Sequence, residues 1–496
     1  MRTRPVLALS SALLLLSLRV EAQIDPPNTP TEITLSGSIE LALKNNERLL
    51  QYKERSKQRS DDDLGAVGNF LPTLNLSGGY VHLNAPIEID LEPVRQAMIG
   101  LQSRNMTEFA NVYNLLGGGT GLTQQQRAAL TSANASALND ALPPFVETFK
   151  DQSYPTATWT VVQPLFLGGK LLAAKAYASS EERGALLDEK RIRDEVTQEA
   201  AIGYFSIVVL DDVIRTRQAV LAGMRRHQSD ARRLKEEGLI PLPQVLRADL
   251  AVADAERNLS DDQNCRALAL LSLRQVMGMP EETPLEIRDS LSTRLLADSV
   301  ETFPHSAEDG NPVVQLLAEK RTGAAQKYRS ERAAFLPQVA AFGKYEMYPQ
   351  YLSALEPRWM VGIQVSFNIF HGFKDYAAVS SASHLEAEVE HLEKDTRQKV
   401  RLLVRKCQLD AENARARYAR ERANVALAQE NVRITEGRFL TGLGTSLDLI
   451  DAELALEKSM IEREQSLYEY LRALVGLYGA TGSPEKIVEL WNQKGA

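Results

Sequence analysis

The chain has 496 residues, 44% of them hydrophobic, with 57 Lys and Arg against 65 Asp and Glu, for a formal net charge of -8. That length holds two or three ordinary domains with a sizeable core. The acidic balance, with no local block of basic residues, excludes nucleic acid as a partner, because nothing would neutralise its phosphates.

At the N-terminus, Arg2 and Arg4 precede an apolar run from Val6 to Leu18, and Val20 to Ala22 offer small residues for cleavage. The pattern predicts a signal peptide over 1–22, since an apolar run of 13 residues is too short to span a bilayer comfortably. Cleavage would move the net charge to -10. No cysteine stands directly after the expected cleavage site, where residue 23 is Gln23, so a lipid anchor on a leading cysteine is not expected. The two cysteines, Cys265 and Cys407, fall inside helical patterns and read as unpaired thiols.

Beyond the leader the chain repeats itself. "FLPTLNLSGGY", Phe70 to Tyr80, returns as "FLPQVAAFGKY", Phe335 to Tyr345, and the offset of 265 extends back to Asn46 and Asn311. "PLFLGGK", from Pro164, aligns with "NIFHGFK", from Asn368, at an offset of 204 that persists through Gly238 and Gly442 to Gly278 and Gly482. The sequence therefore predicts two internal repeats, 23–300 and 301–482, followed by a C-terminal tail, 483–496. The first carries 61 extra residues, between about His82 and Tyr154. This insert is rich in Asn, Ser, Thr, Gln and Ala and has helical patches at Pro93 to Leu116 and Leu122 to Leu142, so it reads as a long loop with some helix.

Each repeat alternates two periodicities. From Trp359 to Phe370, the residues Trp359, Val361, Ile363, Val365, Phe367 and Ile369 share one face, with Gly362, Gln364, Ser366 and Asn368 on the other. That is a strand with one apolar side. Pro337 to Met347 does the same less cleanly, and Pro72 to His82 and Thr156 to Phe166 complete a set of four. The helical stretches are long: no proline interrupts Lys374 to Leu440, and Val404, Ala411, Tyr418, Val425, Val432 and Phe439 fall seven residues apart. A helix of that span is about 100 Å long. The step returns in Leu447, Leu454, Ile461, Tyr468 and Val475. Turns near 236–244 and 438–446 fold each long helix back into a hairpin.

Four strands cannot close a barrel, and an open edge in lipid leaves backbone groups unsatisfied at several kcal/mol each. Two copies of the chain would give about 8 strands, which side chains fill; three give about 12 and leave a lumen. Apolar-out, polar-in strands of this length suit an outer membrane.

At this point the chain resembles the TolC-like outer-membrane efflux and secretion channels. The resemblance rests on "NPVVQLL", "FLPQVAAFGKY", "QPLFLGGK", "GRFLTGLGTSLDLIDAELAL" from Gly437 to Leu456, and "LVGLYGATG" from Leu474 to Gly482, in order and doubled at fixed offsets. It implies a mixed α+β membrane protein: a homotrimer with a 12-stranded barrel in outer-membrane lipid, four strands per chain, continued by a periplasmic coiled-coil tunnel. It further implies a periplasmic adaptor and an inner-membrane pump of RND, ABC or MFS type as partners, with no cofactor, no metal and no catalytic role.

Carried over residue by residue, Asp448 and Asp451 match the family's paired entrance aspartates, and Gly238 and Gly442 match its turn glycines. Leu239, Ile240, Leu443 and Gly444 complete the expected adaptor-docking tips. The latch positions of the family are Pro243, Gln244 and Gly444 here, so its latch arginine is absent; Arg247, the repeat partner of Asp451, would neutralise part of the carboxylate ring instead. Ser446 reads as the N-cap of the returning helix.

Other chemistry finds no support. His384 and His391 are seven apart, which does not set two ligands side by side on a helix, and "GGGTG" at Gly117 to Gly121 lacks the strand and lysine of a phosphate loop. A type I protein-secretion outlet shares the whole architecture. A structural periplasmic coiled-coil or adaptor protein would explain the heptads but not the apolar strand faces.

Overall fold

The computed structural model describes residues 31–287, 289, 307–352 and 356–493. The expected leader, 1–22, and the expected boundary between the repeats near 300 lie outside them. In chain order the elements begin with β1 (Thr31–Glu32), α1 (Leu35–Asn45), α2 (Glu47–Gly68), β2 (Thr73–His82), β3 (Ile87–Asp90), α3 (Glu92–Leu116) and α4 (Gln124–Ala141). Next come β4 (Val146–Lys150), β5 (Ser153–Leu167), α5 (Lys170–Glu236), α6 (Leu242–Val276), β6 (Leu285–Glu286) and α7 (Pro312–Arg332). The chain ends with β7 (Gln338–Glu346), β8 (Trp359–Ser366), α8 (Lys374–Leu440), α9 (Ser446–Ala480) and α10 (Lys486–Gln493). No described helix is long and apolar enough to cross a membrane.

Two compact units emerge: the described residues of Met1–Ser56, Gly184–Ala318 and Leu392–Ala496, and those of Lys57–Arg183 and Glu319–His391. The second holds an antiparallel sheet in the order β2-β5-β7-β8. Both "FLP" phrases do what their chemistry requires. Pro72 and Pro337 stand directly before β2 and β7, and Leu336 is already extended at φ -115, ψ 151, because the ring of a following proline disfavours helix. Register then sorts the faces. Val361, Ile363 and Val365 lie opposite Gly343, Ala341 and Val339, while Trp159, Tyr345 and Trp359 form one row across three strands.

β8 stops at Ser366, so Phe367 and Ile369, expected on the apolar strand face, lie beyond the sheet. The last rung pairs Gln338 with Ser366; Phe367 would face Pro337, which has no amide hydrogen to extend the ladder. The insert is also more ordered than a loop. Its two helices fall where the composition placed them, but β3 and β4 form an additional antiparallel pair at its base, which the short apolar stretches there did not reveal.

In the first unit, the core joins α1, α5, α6, α8, α9 and α10 around the fully buried Tyr204, Phe205, Leu273, Leu471 and Val475. The tail expected from 483 onward contains α10, docked by buried Ile487 and by Trp491, whose ring lies 5.0 Å from that of Phe205. The seam expected in α8 is buried at Val404, Ala411, Tyr418, Val425 and Phe439. In α9 the expected seam is buried at Val475 and half-buried at Ile461 and Tyr468, but toward the turn its phase shifts: Leu447 and Leu454 are exposed, and Ile450 and Glu457 are buried in their place. The buried step tolerates acids because Arg217 meets Glu457 at 2.6 Å and also holds Asp262 at 2.8 Å, which ties α5, α6 and α9 together.

Candidate functional site

The candidate site is built at the two helical turns of the first unit. Helices α5 and α8 end alike. The amide of Leu239 donates to the carbonyl of Leu234 (2.8 Å) and that of Leu443 to Arg438 (2.9 Å), with Gly238 and Gly442 in the left-handed region at φ 80 and φ 72. This double hydrogen-bonded ending satisfies carbonyls that the helix leaves orphaned, and it needs a residue without a Cβ at the left-handed position. Leu239 and Leu443 consequently project into solvent, 66% and 75% exposed, at the two apices. Ile240 turns inward onto Ala231, Leu234, Val245, Ala248, Phe439 and Leu449. Gly444 has an ordinary φ, but a Cβ there would meet the Phe439 nitrogen at 3.2 Å, so it is small for packing reasons.

The N-cap of α9 is Thr445 and not Ser446. Thr445 Oγ1 accepts from the Asp448 amide (3.2 Å) while the Thr445 amide donates to Asp448 Oδ2 (2.9 Å). This reciprocal box fixes Asp448, and those bonds, with the nearby Arg438 guanidinium, hold its carboxyl below the usual range. Ser446 is instead fully buried. Its hydroxyl lies 3.4 Å from the Gln244 carbonyl and 2.7 Å from His227 Nε2. With the serine proton directed at the carbonyl, Nε2 carries the imidazole proton and donates to Ser446. His227 packs edge-on to Phe439 at 4.6 Å, and burial pushes its pKa down, opposed weakly by Asp230.

Asp451 and Arg247 are both exposed, and within the chain no hydrogen bond or ion pair joins Arg247 to Asp448 or Asp451. An open apolar groove of about 410 Å³ runs beside them, lined by Val220, Met224, Leu250, Leu447, Ile450 and Leu454. One helical turn along from Leu449 lies Glu453, whose carboxylate leans over Gly223; burial raises its pKa to about 7. His227 and Gln244 join the two turns from inside: Gln244, one of the latch positions, bonds Ser446, and His227 is a contact that the sequence does not single out. The available signal is a lone histidine at helical spacing among the apolar residues Leu221, Met224, Ala231 and Leu234 of α5. His384 and His391 are both exposed, as helix-face residues would be.

In the second unit the strand residues Trp359, Val361, Ile363 and Val365 are 64–74% exposed on one face of the sheet. Leu74, Leu76 and Tyr80 of β2 lie on the same face by register. The Arg358 guanidinium stacks 5.1 Å from the Tyr345 ring beside the aromatic row, as cations do at a membrane interface.

A profile of the outer membrane efflux protein family matches residues 116–279 and 303–483. The chain belongs to that family. It is 27% identical over 346 residues to the alkaline protease secretion protein AprF of Pseudomonas aeruginosa, covering 65% of this chain and 69% of AprF. The fold resembles the outer membrane protein VceC of Vibrio cholerae, with TM-score 0.70 at 18% identity, covering 90% of this chain and 96% of VceC. It also resembles the Campylobacter jejuni CmeC outer membrane channel, with TM-score 0.69 at 14% identity, covering 99% and 97%. The protein is thus a TolC-like outer-membrane channel with a large periplasmic helical part, in a family of channels and not of enzymes.

Proposed function

We propose that three copies of this chain close a 12-stranded barrel, continued by a periplasmic tunnel, and export small molecules delivered by an inner-membrane pump through a periplasmic adaptor. The observation that carries this reading is the four-stranded sheet. It has one exposed apolar face, and β2 and β8 each have a single partner within it, so further copies are needed to remove the edges. The two-repeat reading is supported by helix bounds: α8 and α9 begin and end 204 residues after α5 and α6. Exposed Leu239 and Leu443 suit the adaptor-docking role assigned to the turns, and the position of the insert between β2 and β5 suits the outer mouth.

Similarity to AprF supports a second reading, a type I protein-secretion outlet. The adaptor alternative leaves the apolar sheet face unexplained. Deleting the gene and measuring both dye retention and the proteins left in the cell separates the first two. Retained dye with an unchanged secreted-protein profile supports efflux, and the reverse supports secretion. Heat-resistant trimers extracted from outer membranes test the assembly, and the pump that co-purifies identifies the class, RND, ABC or MFS.

A further inference from the structure

Helix α3 carries its faces the wrong way round for a helix that packs only within its own hairpin. Its buried side toward α4 is mostly polar. Arg95 donates to the carbonyls of Asn139 and Leu142, Thr107 bonds Thr131 (3.0 Å) and Asn134 (3.2 Å), and Asn111 accepts from the Leu122 amide (2.9 Å). These satisfied bonds fix the rotation of the helix. The opposite side presents Val94, Met98, Leu101, Phe109, Val112 and Leu116, each 49–82% exposed.

We propose that this stripe packs against the same stripe of other copies of the chain, forming a homotypic helical cluster that caps the outer mouth of the barrel. The inference rests on the three-copy reading above. Three observations choose a second copy over lipid as the occupant. First, exposed Asn105 sits midway along the stripe between Leu101 and Phe109. Lipid would strand its amide, whereas a helical seam lets it bond its counterpart and thereby fix register. Second, the spacing from Val94 through Asn105 to Leu116 is an 11-residue repeat, which keeps a stripe aligned along the helix length of about 37 Å. Third, the hairpin grows out of β2, the open edge that a neighbouring copy must complete, so the stripe continues an interface already required.

The test uses the full chain carrying Cys265→Ser and Cys407→Ala, expressed in outer membranes and oxidised with copper phenanthroline. Asn105→Cys should give covalent dimers, and Ala129→Cys, exposed on α4, should not. Adding Leu101→Gln and Phe109→Gln should abolish the dimers and raise single-channel conductance while heat-resistant trimers persist. Trimers without the Asn105→Cys cross-link, or equal cross-linking from Ala129→Cys, would overturn the cluster and leave the three-copy reading standing. Quenching of a fluorophore at position 105 by brominated lipid would instead assign the stripe to lipid. Absence of trimers altogether would overturn both.

Discussion

Asp448 closes the capping box of α9 through Oδ2 yet remains exposed, so its charge is available to ions as well as to the helix start. Three copies would bring six carboxylates of Asp448 and Asp451 to one constriction, where repulsion between like charges favours cations. Trimers in planar bilayers should therefore prefer cations and be blocked by multivalent ones from the periplasmic side. Asp448→Asn with Asp451→Asn should abolish the block with assembly intact, because asparagine still accepts the capping bond, and Arg247→Ala should raise conductance. Inside the turns, His227 and Glu453 respond to pH in opposite senses. The folded His227 has a lowered pKa, so the unfolded chain takes up its proton first and stability falls as pH drops below about 6.5. Glu453, raised to about 7, contributes stability that is lost as pH climbs from about 4.5 to 7. Glu453→Gln should accordingly stabilise the protein at pH 8, by on the order of 2 kcal/mol after solvent screening, and change little below pH 4.5. His227→Phe should flatten the acid side. Thermal midpoints against pH check both.

At the level of elements, the strand-to-helix turns contain a built-in comparison. Gly168 and Gly169 precede α5 with φ 64 and φ 84, while the turn before α8 has Gly372 at φ 60 and Phe373 at φ 64. Phe373 is the sole described non-glycine residue with positive φ, and its ring, 74% exposed, meets Phe370 edge-on at 5.5 Å. A left-handed L-residue costs roughly 1–2 kcal/mol. The strain is offset if the ring anchors the end of β8 in the lipid interface. Phe373→Gly should raise the stability of detergent-solubilised trimers by about 1 kcal/mol while slowing their insertion into membranes, as thermal melts and fractionation would show. Gly442 offers the converse case, since Gly442→Val should destabilise the turn by about 1–2 kcal/mol and weaken cross-linking of an adaptor from Leu443.

For the whole molecule, the sheet register fixes which face of the sheet each residue takes, and so which side of the proposed barrel wall it would line. Val365 shares its face with Val339 and Phe166, and Ser366 points the other way beside Gln338. Val365→Arg should cost about 2–4 kcal/mol near the bilayer midplane and reduce trimer assembly, whereas Ser366→Arg should be tolerated. Equal recovery of both variants from outer membranes would sink the assignment of faces.

Much of this was legible in the residues because it is decided locally. Proline at positions 72 and 337, alternation from Trp359 to Val365, and glycine at 238 and 442 each impose a backbone outcome regardless of their neighbours. The tertiary structure decided what depends on partners distant in sequence. Whether Leu447 or Ile450 faces the core follows from where α5 and α6 lie, since a heptad pattern specifies a period and not its phase. Ser446 lost the capping role to Thr445 because His227, 219 positions earlier, and Gln244 draw its hydroxyl inward. Phe367 left the strand because its place across the ladder belongs to Pro337. In each case the sequence set the chemistry available at a position, and the packing of remote segments determined which bond was made.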